Sequence, residues 1–214
     1  MRYDIFLFDL DGLLIDSERI YKKAWQAAFE RLQAPMPEEI FDSWRGKSAA
    51  AAAEDVVKIH HNIEIYHKAY EIREAFIAQA LKNGQILQKK FASEALTKLR
   101  EHGYMTGLVT SSPKNRVTAI LEYFGWKDKI NYAVTASDVK ETKPSPVPYI
   151  HILELSNCRP NQAVAFEDSL TGYTAAAKSG IHTFLIPDRS FDIDENKIAG
   201  CQRAEDLSKV LELI

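Results

Sequence analysis

Cysteine is scarce. Cys158 and Cys201 are the only two in 214 residues, and their spacing suits neither a disulfide framework nor the clustered ligands of a zinc site. A reducing, cytoplasmic setting is therefore expected. No run of about 18 apolar residues occurs, so no membrane span is expected. The opening "MRYDIFLFD" is not expected to act as a signal peptide, because its apolar run is short and an acid interrupts it. Lys and Arg form no stripe, the net charge is -3 and the pI is near 6.1. That balance argues against nucleic acid as the partner but leaves room for a small anionic metabolite held by a few local donors. Internal repeats, low-complexity linkers, heptad seams and extended apolar patches are also missing, and a monomer is expected.

What is present is ample material for a core: 46% hydrophobic and 27% charged residues. "YDIFLF" is a short continuous apolar run, the pattern of a buried parallel strand. A helical stretch follows, with Trp25, Ala28, Phe29 and Leu32 on one stripe, an Ala-rich segment after Ser48, and Tyr66, Tyr70, Ile77 and Leu81 on another stripe. No strand is expected between about residues 16 and 83. Beyond "NGQIL" strands and helices alternate. Ser93 is expected to cap a helix that Gly103 stops, "YMTGLVT" to be a strand, and Ser112-Pro113 to open the next helix. "NYAVTA", "AVAFED" and "IHTFLI" read as further strands. "PVPYIHILEL", the segment after Ser169 and "AEDLSKVLELI" read as helices. The alternation predicts an α/β fold: a doubly wound, Rossmann-like parallel sheet built from residues 1–15 and 87–214, with an all-helical domain inserted at 16–86.

Ligands of such sheets lie at the carboxyl ends of the strands. Those ends supply Asp9-Leu10-Asp11-Gly12, then Thr110-Ser111-Ser112, then Lys143 in "VKETKPSP", and finally Glu167-Asp168-Ser169. Four carboxylates, a hydroxyl and an ammonium would converge on one edge. Carboxylates so close repel unless a cation intervenes, and an all-oxygen set suits Mg2+. Asp9, Asp168 and Glu167 are the expected metal side chains, with Asp11 contributing through its carbonyl. Phosphoryl transfer accounts for the other groups. Asp9 is an ionised nucleophile, Lys143 and Thr110 hold phosphate oxygens, Ser111 and Ser112 offer N–H groups at a helix start, and Asp11 moves the proton.

"DLDG", "VTSS", "ETKPSP" and "FEDS" stand in the order and spacing of the haloacid dehalogenase-like (HAD) hydrolases, and the chain most resembles their beta-phosphoglucomutase and sugar-phosphate phosphatase branch. The resemblance spans essentially the whole chain, with the helical insertion corresponding to that branch's cap. It implies the same roles: Asp9 as nucleophile, Asp11 as acid and base, Thr110 and Lys143 on the phosphate, Glu167 and Asp168 on Mg2+. It also implies a phosphatase of small phosphomonoesters, sugar phosphates among them. Dehalogenases of the superfamily lack the second Asp, so Asp11 favours phosphate chemistry. Phosphoglucomutase is the alternative. The mutases carry a His where this chain has Tyr21 and an Arg where it has Ala49, which counts against that activity. Arg45, Lys47 and Lys114 are the cations available to replace that Arg, and Arg45, Gly46 and Lys47 are expected to touch substrate.

Plainer readings stand beside these. Asp9 and Asp11 suit a turn, Thr110 to Ser112 a helix cap, Lys143 a solvated loop, and Glu167 and Asp168 a first helical turn. Only their joint register sets them aside, and with them the reading of a non-catalytic phospho-ligand binder. "RGKS" ends like a nucleotide-binding loop, but Phe41 occupies the place of its leading glycine. Asp16 is expected to anchor the core–insertion junction. His60, His61 and His67 are expected at the surface.

Overall fold

A computed structural model describes residues 3–44, 49–188 and 200–214. The chain divides into two compact units, one of residues 1–16 and 88–214 and one of residues 17–87.

The first unit is built on five strands, β1 (Ile5–Phe8), β4 (Met105–Val109), β5 (Tyr132–Val134), β6 (Ala163–Glu167) and β7 (His182–Leu185). They form one parallel sheet in the order β5-β4-β1-β6-β7. The chain first builds outward from β1 on one side, then crosses to β6 on the other. The topological switch, where such sheets open a crevice at their carboxyl ends, therefore lies at β1. All four residues of β1 and all five of β6 are buried, which explains why both read as continuous apolar runs instead of alternating ones.

Successive side chains point to opposite faces. Ile5 and Leu7 join Val109, Val134, Ala163 and Ala165 beneath Tyr149, Ile152, Ala175 and Ala176, which come from α7 (Val147–Ser156) and α8 (Leu170–Lys178). Phe6 and Phe8 point the other way and stack with Phe166, which stacks in turn on Phe184. Helices α5 (Ala92–Glu101) and α6 (Lys114–Tyr123) complete the alternation. Two short strands, β2 (Ile15–Asp16) and β3 (Leu87–Gln88), pair as a separate ribbon.

The second unit contains α1 (Glu18–Arg31), α2 (Glu38–Ser43), α3 (Ala49–His60) and α4 (Ile63–Lys82). Its core is aromatic: Trp25 stacks on Phe29, and the rings of Phe41, Trp44 and Tyr66 pack edge-on or tilted against that pair or one another. Among the described residues, no helix is long and apolar enough to cross a membrane.

Local details depart from expectation. Ser93 lies inside α5, whose N-cap is Phe91 with a left-handed φ of 66°. The Ser93 hydroxyl instead donates to Gln88 and accepts from the Trp126 indole. The last helix, α9, spans only Ser208–Leu211, because Arg203 pairs with Leu185 and Asp206 accepts from the Ser208 N–H, turning the chain first. His61 and His67 are exposed, but His60 is half-buried and stacks on Phe29. Asp16 lies 4.0 Å from Lys89, which is also 3.0 Å from buried Asp188.

Candidate active site

The register of the sheet sets the first contacts. Phe8 pairs with Leu108 on one side and Phe166 on the other, so the next residue, Asp9, falls between the ends of β4 and β6. Its N–H donates to Phe166 O at 3.1 Å. Asp9 is only 7% exposed. Burial pushes its carboxyl above the usual range and Asp11 adds to the rise, while the Lys143 ammonium opposes it.

Lys143 reaches in from the loop between β5 and α7. It donates to Asp9 Oδ1 at 2.7 Å, to Val109 O at 2.8 Å and to Glu167 Oε1 at 2.5 Å, which uses all three ammonium protons. Burial alone would lower its pKa, but Asp9 and Glu167 outweigh that and raise it. Lys143 thus stays charged in a site that holds more negative than positive groups.

Glu167 ends β6 and has no exposed surface. Burial lifts its pKa to about 7 against the opposing pull of Lys143. The Tyr149 hydroxyl donates to its Oε1, and burial followed by the nearby Glu167 carboxylate holds Tyr149 well above the usual phenol range, so it remains a neutral donor. Glu167 Oε2 is buried and has no hydrogen-bond partner among the described residues, an arrangement that costs about 1–3 kcal/mol if nothing compensates it. One carboxylate oxygen each from Asp9, Glu167 and Asp168 lies within 4.8 Å of the others. A hard divalent cation fits this all-oxygen, net-acidic set.

Two glycines make room for these acids. A Cβ on Gly12, whose φ is 85°, would overlap the Asp168 carboxylate, and one on Gly172 would overlap that of Glu167. Gly172 also donates its N–H to Ser169 Oγ, the N-cap of α8.

Asp11 is not part of the three-acid group. Its Oδ2 accepts from Ser112 Oγ at 2.5 Å. Thr110, buried at the end of β4, accepts the Ser112 N–H on its hydroxyl at 3.0 Å. Asp9, Thr110, Ser112, Lys143 and Glu167 are therefore buried together with half-buried Asp11 and Asp168, whereas Ser111 and Lys114 are exposed. Arg45, Gly46 and Lys47 lie outside the described residues. In the helical unit, Tyr21 is 8% exposed and has the Arg73 guanidinium 4.9 Å from its ring centre. Tyr149 was not foreseen. Its one signal in the sequence is a hydroxyl set among apolar residues, which needs a buried partner.

Residues 6–186 match the sequence model of the haloacid dehalogenase-like hydrolases. Validoxylamine A 7'-phosphate phosphatase of Streptomyces hygroscopicus subsp. limoneus is 31% identical over 179 residues, covering 84% of this chain and 83% of that one. The phosphorylated carbohydrates phosphatase of Thermotoga maritima is 27% identical over 179 residues, covering 82% and 81%. Among solved structures, the beta-phosphoglucomutase of Clostridium difficile shares the fold with a TM-score of 0.79 at 16% identity, over 97% of this chain and 92% of that one. With its acids, threonine and lysine gathered at the carboxyl ends of one parallel sheet, this chain belongs to the haloacid dehalogenase-like hydrolases.

Proposed function

We propose that the protein is a Mg2+-dependent phosphatase of small phosphomonoesters, sugar phosphates foremost, that works through a phosphoaspartate on Asp9. One observation carries the reading: a buried Asp9 stands 2.7 Å from the Lys143 ammonium and within reach of Glu167 and Asp168. Relatives named as phosphatases of phosphorylated carbohydrates and of validoxylamine A 7'-phosphate support the substrate class.

The Asp9 carboxylate attacks phosphorus while the bond from phosphorus to the ester oxygen breaks. Asp11 gives its proton to that leaving oxygen. Water then attacks phosphorus, Asp11 takes the water's proton, and phosphate departs with Asp9 regenerated. Lys143 and Thr110 hold phosphate oxygens throughout. Asp9, Glu167 and Asp168, with the Asp11 carbonyl, would hold Mg2+, which supplies positive charge that makes a dianionic phosphate approachable by a carboxylate. Ala49, where the mutases carry the Arg that grips the second phosphate, and Tyr21, where they carry a His, disfavour the mutase alternative.

Asp9→Asn keeps the shape of the side chain and removes the nucleophile. Phosphate release from a panel of phosphomonoesters in Mg2+ is expected to fall to background, with circular dichroism unchanged. Undiminished turnover in that variant would sink the mechanism. On beta-glucose 1-phosphate the native chain is expected to release inorganic phosphate; accumulation of glucose 6-phosphate would favour the mutase.

A further inference from the structure

Arg116 is a buried guanidinium that none of these steps uses. It sits in the first turn of α6 and is 8% exposed. Its Nη1 donates to Ser112 Oγ at 3.0 Å, and Ser112, itself 3% exposed, donates to Asp11 Oδ2 at 2.5 Å. The position is a poor one for a cation. The first turn of a helix is the positive end of its dipole, and burial adds a desolvation cost. An apolar side chain of similar length would fill the space without either cost, so filling space does not explain the residue.

We infer that Arg116 is a positioning residue which, through Ser112, fixes how the Asp11 carboxyl is presented for proton transfer. The inference rests on the reading of Asp11 as the acid and base. An arginine can only donate. Ser112 must therefore turn its oxygen toward Arg116, which leaves its single hydroxyl proton for Asp11. Oδ2 of Asp11 is then an acceptor, and the proton to be transferred is carried on Oδ1. Without Arg116, Ser112 can rotate and accept from a protonated Asp11, which diverts the acid from the ester oxygen.

Leaving groups separate this role from a merely structural one. p-Nitrophenolate departs without being protonated, whereas the alkoxide of an alkyl phosphate needs the acid. The probes are p-nitrophenyl phosphate and the alkyl phosphate that the native chain turns over fastest in Mg2+. In Arg116→Met the ratio of kcat/KM for the alkyl ester to that for the nitrophenyl ester is expected to fall about tenfold or more, a part of what a positioned acid contributes. Ser112→Ala should reproduce the shift, and the double variant should be no worse than either single one. An unchanged ratio in folded Arg116→Met overturns the inference, as does an unchanged ratio in Ser112→Ala if Arg116→Met does not fold. A native chain that hydrolyses neither ester overturns the phosphatase reading as well, while native turnover with an unchanged ratio overturns the role of Arg116 alone.

Discussion

Gly172 shows how one missing side chain can govern the site. Helix propensity favours Ala over Gly by about 1 kcal/mol in a helix interior, so propensity alone predicts that Gly172→Ala stabilises α8. The surroundings predict otherwise. The added methyl would overlap the carboxylate of Glu167, which Lys143 and Tyr149 already hold in place. Either α8 or Glu167 has to move, and either displacement disturbs the acid group. Gly172→Ala is expected to weaken Mg2+ binding about tenfold or more, as outer-shell substitutions at metal sites do. Calorimetric titration of Mg2+ checks it, and unaltered affinity would show that Glu167 tolerates the methyl. At this scale legibility divides by cause. The gathering of Asp9, Thr110, Lys143 and Asp168 at one edge was readable because each follows a strand or lies in a strand-end loop, and strand order places those ends together. Gly172, Tyr149 and Arg116 were not, because each acts through a side chain remote in sequence, and periodicity carries no record of such pairs.

Among the elements, α1 and α4 were readable from their stripes. Trp25, Ala28 and Phe29 are buried on α1, and Tyr66, Ile77 and Leu81 on α4. The same stripe hides a defect. Tyr66 is 6% exposed, and its hydroxyl has no hydrogen-bond partner among the described residues. Burial pushes its pKa up to about 12, and nearby Tyr70 adds to the rise. Folding therefore favours the protonated phenol. The associated stability is full below pH 10 and is lost as the pH rises through about 12. Tyr66→Phe keeps the ring against Trp25 and removes both the unsatisfied hydroxyl and the ionisation. It should raise stability by about 1 kcal/mol at neutral pH and delay alkaline unfolding, as followed by urea melts between pH 8 and 11.5. A loss of stability would mean that the hydroxyl has a partner after all. Elements set by tertiary contacts were less readable. α5 begins one residue before Ser93 because Phe91 takes a left-handed turn and Trp126 claims the serine hydroxyl. α9 is short because Arg203 first pairs alongside β7.

For the molecule as a whole, the parallel sheet was legible from alternation alone, since helical stretches between buried strands leave few other topologies. The depth of the acid group was not, because it depends on how closely the strand ends approach. That depth ties the stability of the whole chain to pH and, where the acid group holds a cation, to that cation as well. Glu167 has no exposed surface, and burial raises its pKa from 4.5 to about 7. Its protonated form is thus favoured by folding, so its contribution is full below pH 4.5 and is lost as the pH rises through about 7. Mg2+ needs the ionised form and would displace that proton. Without metal, Tm is expected to fall across this interval, and the increment produced by Mg2+ is expected to grow over the same range. At free Mg2+ one hundred times its Kd the increment is about 2.7 kcal/mol. Glu167→Gln keeps the side chain's length, cannot titrate and leaves Lys143 paired with Asp9, so it should flatten the pH slope of the metal-free chain and shrink the Mg2+ increment at pH 7.5. Thermal melts in chelator and in Mg2+ from pH 4.5 to 7.5 test both effects together. An equal slope in the native chain and in Glu167→Gln would mean that the titration belongs elsewhere, since no other difference separates the two proteins.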